Sequence, residues 1–340
     1  MVPHNKPTLG YREISAVKRV INSGWVAQGI EVNSLEDEIA AFLGLESSSN
    51  VVVVSSGTAA LFLALWALES KGRRVGVPVY SCSALKNAIE MSGAVPVYLD
   101  CAKRSPNIDL NAIQSSNIDI LIAPSMFGIP IDIKSNSQYK VIEDLAQAFG
   151  AEKNGRPIGS RGELGITSFY STKLLTTGGQ GGAIFSHNKN LIDKIRDYRE
   201  FDNRRDKKNR FNFQMTDIQA SIGREQLKQF NIFRERRESI FMNYKAAGLD
   251  LLESKNISHS IVRYRAVINT KQPDRIINQL EMNGIRAIVP IEKDELLDNP
   301  NNYINAKQLS EQTVSLPIYP NLEQSVVNKI CRIVSKIESI

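Results

Sequence analysis

The chain opens with two segments whose apolar residues recur at helical spacing. In the first, one helical face carries Ile14, Val17, Val20 and Ile21. Gly24 ends this segment, as glycine commonly does after the last turn of a helix. In the second segment, Ser34 is the expected N-cap, and Asp37 stands three residues later as the acid of a capping box. The pattern therefore predicts a helical arm at the N-terminus.

Short apolar segments then alternate with segments of helical periodicity. The predicted strands cover residues 51–56, 74–81, 94–100, 118–125, 139–145, 164–171 and 181–187. Strands that are apolar on both faces and are separated by helices are typical of parallel sheets. The sequence thus predicts an α/β fold in which a mainly parallel, seven-stranded central sheet is sandwiched by helices.

The pattern changes in the last third of the chain. A long helical run over residues 215–248 ends at Gly248, and strand patterns follow at residues 260–269 and 285–291. Between them a helix begins at Pro273, and a terminal helix begins at about Gln324. We expect a large domain over residues 1–240, which includes the helical arm, and a small α+β domain over residues 241–340.

Composition narrows the class of protein. The chain has 340 residues, of which 42% are hydrophobic, and its longest apolar run, residues 59–68, is too short to cross a bilayer. No signal-peptide pattern precedes it, so we expect a cytoplasmic protein without a membrane partner. Three cysteines without metal-ligand spacing, together with three histidines, indicate a reducing compartment and no metal site.

The net charge of +6 favours anionic partners, which include nucleic acid, a membrane surface or a phosphorylated small molecule. The basic residues cluster in the segment NRRDKKNR, residues 203–210. Such a run is more often a solvated loop than a ligand contact. Because no nucleic-acid-binding motif accompanies it, we expect no nucleic-acid partner.

Three strand ends carry residues that are suited to binding or catalysis. Gly57 and Thr58 follow the first strand and begin a helix, where backbone amides form a phosphate cradle or simply a cap. Asp144 ends a buried strand, where it meets a cation or caps the next segment. Ser168 and Lys173 precede a glycine run, in which the lysine is either solvated or a Schiff-base nucleophile. Together the three sites match the phosphate, ring nitrogen and aldehyde of pyridoxal 5'-phosphate (PLP).

Five ordered blocks resemble a known family. SSGTAALFLAL, VIEDLAQAFGA, SFYSTKLLTTGGQGG, FNFQMTDIQASIGREQL and SLPIYP are similar to blocks of the DegT/DnrJ/StrS sugar aminotransferases. The opening segment, residues 9–44, matches as well, so the resemblance covers nearly the whole chain. It implies the aspartate aminotransferase-like fold (fold type I), with PLP bound in the large domain.

The resemblance also assigns roles to individual residues. Lys173 matches the lysine that forms the Schiff base and moves the proton at the substrate carbon, and Asp144 matches the acid that pairs with the pyridinium nitrogen. Gln147 matches the residue near the ring hydroxyl. The phosphate-binding positions match Gly57, Thr58 and Ser168. Asn212 matches an asparagine that reaches the phosphate in the neighbouring subunit, which implies a homodimer with shared active sites.

The sequence departs from the family at several positions. Cys82 stands where relatives place an aromatic ring over the cofactor face, and strand alternation points Tyr80 away from the side of Ser81. Gln180 replaces an acid in a glycine turn that is one residue longer than usual, and Gln214 replaces an arginine. The chain is also short after residue 248 and lacks a histidine-containing segment near residues 285–297. The last of these departures falls in the region that helps to shape the sugar pocket of the family.

The resemblance implies transfer of an amino group from L-glutamate to a nucleotide-linked keto-sugar, in making amino sugars for surface polysaccharide, lipopolysaccharide or O-antigen. Trp25 and the Arg204/Arg205 pair are candidate contacts for an anionic substrate. The alternatives are a PLP-dependent dehydratase, an aminotransferase that acts on a ketocyclitol or keto-octulosonate, and a catalytically silent homologue.

Overall fold

A twisted central sheet organises the molecule. The computed structural model describes residues 1–133 and 138–339. Its strands are β1 (Val51–Val54), β2 (Arg74–Pro78), β3 (Val95–Leu99), β4 (Ile120–Pro124), β5 (Lys140–Asp144), β6 (Glu152–Lys153), β7 (Arg156–Pro157), β8 (Leu164–Ser168), β9 (Gly182–Phe185), β10 (His259–Ser260), β11 (Ala266–Asn269) and β12 (Thr313–Leu316). Within the described residues, seven of these strands form one sheet in the order β1-β9-β8-β5-β4-β2-β3. Only β9 runs antiparallel to its neighbours. The predicted mainly parallel, seven-stranded sheet is therefore confirmed.

Helices cover both faces of this sheet. They are α1 (Tyr11–Ser23), α2 (Ile30–Phe42), α3 (Gly57–Ala67), α4 (Ser83–Met91), α5 (Leu110–Gln114), α6 (Lys189–Arg199), α7 (Asp217–Lys228), α8 (Phe230–Ala246), α9 (Pro273–Met282), α10 (Ile304–Gln312) and α11 (Gln324–Glu338). Strand β1 shows why two layers form: Val52 and Val54 pack into one core, and Val51 and Val53 pack into the other. Successive side chains of a strand point to opposite faces, so an unbroken valine run requires cover on both sides.

A separate core holds the C-terminal part of the chain together. Helices α9 and α11 and the end of α8 pack around the antiparallel pair β11 and β12. This arrangement is the smaller α+β unit that the sequence predicts. Helix α8 runs through the predicted boundary at residues 240/241, with Phe230 in the core of the large unit and Ile240 in the small one. The exact boundary stays a prediction.

The start of α2 differs from the prediction. Ser34 lies inside this helix, which begins four residues earlier, after Gly29. The cap comes from elsewhere in the chain: the Asp217 carboxylate accepts the backbone N–H groups of Gly29 at 2.8 Å, Glu31 at 3.2 Å and Val32 at 3.0 Å. A buried carboxylate from α7 replaces the local serine, because any well-placed acceptor satisfies the unpaired amides of a first turn.

Three further elements depart from the sequence pattern. The long helical run is divided at Gln229 into α7, which packs on α1 and α2, and α8, which packs on α11. The segment predicted as a strand over residues 285–291 forms only single bridges, Val2 with Ile285 and Ile288 with Ser315. Of the strand predicted over residues 260–269, Ser260 belongs to β10 and the last four residues form β11, while the residues between them lie in no strand.

Candidate active site

A cavity of about 370 Å³ lies at the carboxyl edge of the sheet. Residues that follow β1, β2, β4, β5 and β8 line it, since the ends of parallel strands meet at one edge. Seven of the predicted site residues line this cavity: Gly57, Thr58, Cys82, Asp144, Gln147, Ser168 and Lys173. Asn212 does not.

The start of α3 forms one end of the cavity. Ser56 caps this helix, and its Oγ accepts the backbone N–H of Ala59 at 3.0 Å. The amides of Gly57 and Thr58 belong to the first turn and therefore have no acceptor within the helix. A Cβ on Gly57 would lie 2.7 Å from Cβ of Ser168 and 2.9 Å from its Oγ. Glycine is thus required to bring the helix start and the Ser168 hydroxyl together.

Asp144 ends β5 and is 4% exposed. Its Oδ1 accepts the backbone N–H of Ala146 at 2.8 Å, and among the described residues it forms no ion pair. Burial raises the pKa of this carboxyl, while the Ala146 hydrogen bond and the charge of Lys173 act in the opposite direction. The protein offsets the cost of burying this carboxylate only in part, so the carboxylate is suited to pair with a cationic ring nitrogen.

Glu143 precedes Asp144 but has a different role. Its carboxylate accepts three backbone N–H groups, from Gly159 at 3.1 Å, Arg161 at 2.6 Å and Gly162 at 2.9 Å. This residue therefore holds the loop before β8 in place. Alternation along the strand separates the structural acid from the acid of the cavity.

Lys173 projects from the loop after β8. Its backbone N–H donates to the carbonyl oxygen of Tyr170 at 2.9 Å, and its Nζ lies 5.2 Å from the ring centroid of Tyr264. Burial opposes ionisation of Tyr264, but the charges of Lys173 and Arg265 and a hydrogen bond with Thr172 hold the pKa of its phenol below the usual value. Sequence reasoning missed Tyr264, because no local pattern connects it to Lys173.

Gln147 lines the cavity beside Asp144. Its Oε1 accepts the backbone N–H of Phe127 at 2.9 Å, which leaves the amide NH₂ group as the donor. Phe127 has a φ of 59°, and the next residue, Gly128, has a φ of 88°. This left-handed pair is uncommon for a bulky residue and turns the chain after β4 so that the backbone amide reaches Gln147.

The opposite wall lacks an aromatic ring at the predicted position. Cys82 lines the cavity and is an exposed, free thiol at the start of α4. Tyr80 does not replace the ring: it is fully buried and packs edge-on against Phe127 at 6.3 Å. Strand alternation predicted this orientation correctly.

Several predicted residues lie outside the cavity. Asn212 is exposed, and its Oδ1 accepts the backbone N–H of Gln214 at 3.1 Å. Trp25 is 61% exposed and donates through Nε1 to the carbonyl oxygen of Gln28 at 3.0 Å. Arg204 pairs with Asp197 of α6, and residues 203–209 are exposed, which agrees with the predicted solvated loop. Arg210, at the end of the segment, is half-buried and pairs with Asp197 and Asp206.

Sequence reasoning also missed part of the lining. These residues are Ser56, Ser81, Ser125, Tyr170, Thr172 and Gln180. Three of them, Ser56, Ser81 and Thr172, stand next to a residue that was identified, so the same reasoning would have found them. The cavity also extends to Cys82 and the start of α4. A strand end alone does not reveal how far a cavity extends, which limits this kind of reasoning.

The residues present fit PLP. The amides at the start of α3 and the Ser168 hydroxyl are donors for a phosphate, the buried Asp144 carboxylate is an acceptor for a ring N–H, and Lys173 supplies an amine. Among the described residues, no cluster of His, Cys, Asp or Glu has the arrangement of a metal site. In the same part of the chain, no helix combines the length and the apolar character needed to span a bilayer.

The sequence matches a family model described as the DegT/DnrJ/EryC1/StrS aminotransferase family over residues 7–335. It is 30% identical to the uncharacterized protein MJ1066 of Methanocaldococcus jannaschii, with 98% of both chains covered. It is 27% identical to the GDP-perosamine synthase of Escherichia coli O157:H7, with 99% of both chains covered.

Solved structures show the same fold. The putative sugar aminotransferase Spr1654 from Streptococcus pneumoniae, in its PLP form, superposes with a TM-score of 0.90 at 23% identity. The superposition covers 99% of this chain and 98% of that one. The aspartate aminotransferase-like fold is therefore confirmed.

Proposed function

The chain belongs to the DegT/DnrJ/EryC1/StrS aminotransferase family, and on that premise we propose that it moves the amino group of L-glutamate to a nucleotide-linked keto-sugar. It is an aminotransferase, and PLP is the cofactor of its family. The observation that carries the proposal is the convergence of Lys173, Asp144 and the Gly57–Ser168 cradle on one cavity. A silent homologue would have no reason to keep all three.

The side chains of the cavity divide the chemistry among them. When bound, PLP supplies an aldehyde that exchanges amino groups and a ring that withdraws electrons from the reacting carbon. The amides of Gly57 and Thr58 and the Ser168 hydroxyl would hold its phosphate. The Asp144 carboxylate would keep the ring nitrogen protonated, and the amide NH₂ group of Gln147 would donate to the ring hydroxyl.

Lys173 has two tasks in this proposal. Its amine would hold the cofactor through the aldehyde group, and the same amine would serve as the base that moves a proton at the substrate carbon. The Tyr264 ring, whose centroid lies 5.2 Å from Nζ, covers one side of this amine.

The family and its named members support a sugar acceptor. One relative is named as a GDP-perosamine synthase, and another is the spore coat polysaccharide biosynthesis protein SpsC of Bacillus subtilis. We infer a nucleotide-linked acceptor and a role in surface polysaccharide, lipopolysaccharide or O-antigen synthesis. We also infer a cytoplasmic location, since all three cysteines are free thiols, as in a reducing compartment.

We infer that the active unit is a homodimer. The N-terminal arm exposes large apolar side chains: Tyr11 83%, Ile14 66%, Ile21 56%, Trp25 61% and Ile30 78%. Phe211, 65% exposed, stands beside Asn212. Exposed apolar groups in this number favour burial against a second copy, which would bring Asn212 to the phosphate in the partner.

The central experiment is the half-reaction with L-glutamate. We expect the purified, yellow holoenzyme to lose its visible absorbance and to form 2-oxoglutarate, whereas Lys173→Ala does neither. Borohydride should fix the cofactor to Lys173. A holoenzyme that retains its colour in glutamate and yields no 2-oxoglutarate would refute the proposed donor.

A hybrid dimer tests the shared site. Lys173→Ala and Asn212→Asp should each be impaired, while their hybrid should regain about half of the wild-type rate, because one of its two composite sites is intact. A monomer in analytical ultracentrifugation, or a hybrid no better than its parents, would contradict the shared-site proposal.

A further inference from the structure

An open groove of about 870 Å³ lies at the edge of the sheet opposite the active-site cavity. Two of its lining residues show this position. Arg161 precedes β8, and His187 follows β9, which runs antiparallel to β8, so both lie at the amino edge of the sheet. Ser168 and Lys173 lie at and beyond the other end of β8. The groove is therefore separate from the active-site cavity.

Basic side chains line this groove, which we call the basic groove. They are Lys153, Arg156, Arg161 and His187, and none of the described lining residues carries a carboxylate. The described lining also contains no Phe, Tyr or Trp on which a nucleobase could stack. This composition favours a ligand that is recognised through negative charge.

Most of this positive charge is not neutralised within the part of the chain that the structure describes. Lys153 is paired with Asp132. The Arg156 side chain is exposed and forms no ion pair or hydrogen bond there. The half-buried Arg161 side chain has a single contact, in which Nη2 donates to the carbonyl oxygen of Lys153 at 3.5 Å. Both guanidinium groups are thus available to an external anion.

The basic segment 203–210 provides a contrast. It contains the densest run of positive charge in the sequence. However, Asp197 pairs with both Arg204 and Arg210, and Asp206 pairs with Arg210 as well. These guanidinium groups already have carboxylate partners, whereas the two arginines of the basic groove have none among the described residues. An anionic partner, which the net charge of +6 favours, therefore fits the basic groove better.

A tight hairpin sets two of the cations side by side. Lys153 in β6 and Arg156 in β7 are paired directly across the hairpin. Asn154 and Gly155, between them, have φ values of 53° and 68°, as in a type I′ turn. Residues paired in this way project from the same face, where like charges repel each other. Asp132 offsets part of this repulsion through Lys153, and an anion bound to Arg156 would offset the rest.

The backbone on both sides of the basic groove is held in place by the protein. The Glu143 carboxylate accepts the backbone N–H groups of Arg161 at 2.6 Å and Gly162 at 2.9 Å. On the hairpin, Lys153 is paired with His259 of β10. Because these segments are ordered without a ligand, binding an anion here would cost little additional conformational entropy.

We propose that the basic groove binds an oligophosphate, an anion with at least two linked phosphate groups. The planar fork of arginine makes two parallel hydrogen bonds to phosphate oxygens, so Arg156 and Arg161 would each hold a phosphate group. Lys153 would add positive charge beside them. Cations spread over an open groove suit a ligand with several charged groups better than a single small anion. The proposal concerns a site apart from the proposed reaction and does not depend on the amino donor or acceptor.

Titration calorimetry of the holoenzyme with inorganic diphosphate tests this site. PLP fills the phosphate-binding positions of the active-site cavity in the holoenzyme, so those positions are closed to the added anion. We expect Arg156→Gln and Arg161→Gln each to weaken diphosphate binding about 10- to 100-fold. Orthophosphate, with one phosphate group, should bind the wild type at least about tenfold more weakly than diphosphate.

Two controls separate a specific site from a general effect of charge. Arg332→Gln removes one charge from an exposed position on α11 and should bind diphosphate as the wild type does. Arg156→Lys keeps the charge but loses the fork, so its affinity should be intermediate. A thermal melt and the rate of the glutamate half-reaction should be unchanged in Arg156→Gln, because this exposed residue lies at the opposite edge of the sheet.

UDP distinguishes a free oligophosphate from one that a nucleotide carries. Loss of both UDP and diphosphate binding in the Arg156→Gln/Arg161→Gln double variant would support the site and indicate that it accepts nucleotides. Loss of diphosphate binding alone would support the site and restrict it to free oligophosphates.

Three results would overturn the proposal. The first is wild-type affinity for diphosphate in the double variant. The second is an equal loss of affinity in Arg332→Gln, which would reduce the effect to net charge. The third is tighter binding of a hexaglutamate peptide than of diphosphate through the same two arginines, which would replace the oligophosphate with an acidic protein segment. None of these results bears on the glutamate half-reaction, so the proposed function is tested separately.

Discussion

The cavity and the region behind Lys173 are built in different ways. We call Gly57, Asp144, Ser168 and Lys173 the cofactor floor; these residues line the cavity and end strands of one sheet or lie in the segments that follow them. We call the group behind Lys173 the donor wall; it takes His4 from the N-terminal segment, Tyr264 and Arg265 from the residues directly before β11, and Ser315 from β12. The cofactor floor forms at one edge of a single sheet. The donor wall forms only when three separate segments of the chain come together.

The difference explains which residues a sequence reveals. A strand followed by glycine and a helix, or by a buried acid, also has a structural explanation when it stands alone. Three such strand ends together match one cofactor, so the cofactor floor stands out in the sequence. Arg265 lies in a segment that reads as an ordinary strand, and His4 lies in a short polar stretch before α1. Their roles depend on neighbours far away in the chain.

The largest expected effect falls on the cofactor floor. Asp144→Asn keeps the shape of the side chain but removes the charge that holds the ring proton. We expect the rate constant of the glutamate half-reaction to fall about 10²- to 10³-fold, measured as the loss of visible absorbance in stopped flow. A rate equal to that of the wild type would contradict the role of Asp144 in holding the ring proton.

A single glycine connects the two regions. A Cβ on Gly128 would lie 1.6 Å from the carbonyl oxygen of Val262, two residues before Tyr264. We expect Gly128→Ala to lower the free energy of unfolding by about 2–4 kcal/mol, from the left-handed φ and the clash together. Gly155 also has a left-handed φ, of 68°, but open space surrounds it. The Gly155→Ala variant therefore measures the cost of the backbone conformation without a clash. Chemical denaturation measures both, and equal losses would show that the clash is relieved.

The Gly57→Ala variant tests the cofactor floor through a smaller expected effect. The new methyl group would press on Ser168, which we expect to weaken PLP binding about tenfold and to cost about 1–3 kcal/mol of stability. Gly179→Ala is the matched control, since a Cβ there meets nothing within 4 Å. Fluorescence titration of the apoenzyme gives the PLP affinity. An unchanged affinity would exclude this cradle as the phosphate site.

The smallest effect concerns the donor wall and pH. Because His4 has a pKa of about 3 in the folded chain and 6.5 as its ordinary value, the unfolded chain binds more protons between these values. Stability therefore falls as pH falls below 6.5. Between about pH 7.5 and about pH 5.5, the wild type should lose about 1 kcal/mol more than His4→Gln. Parallel pH profiles for the two proteins would show that His4 is not buried as described.

Local patterns predicted the sheet, most of its strands and the cofactor floor, because each depends on interactions within one strand–helix unit. The errors were made where a distant group replaces a local signal. Asp217 caps α2 in place of Ser34, and the division at Gln229 follows from packing of the two halves on different partners. Asn212, exposed in the single chain, keeps a role that only an assembled dimer can test.

The sequence by itself determined the α/β fold and the family, and it predicted the four residues of the cofactor floor. The hydrophobic periodicity, a glycine at a strand end and an acid after an apolar strand can each be seen within a short stretch of sequence. No coordinates are needed to recognise them. Only the tertiary structure decided that Tyr264 lies beside Lys173, that Arg265 has no carboxylate partner among the described residues and that His4 is neutral at physiological pH. The burial and the electrostatic environment of these side chains depend on neighbours from separate segments of the chain. Tertiary packing, and not the adjacent sequence, decides which residues those neighbours are.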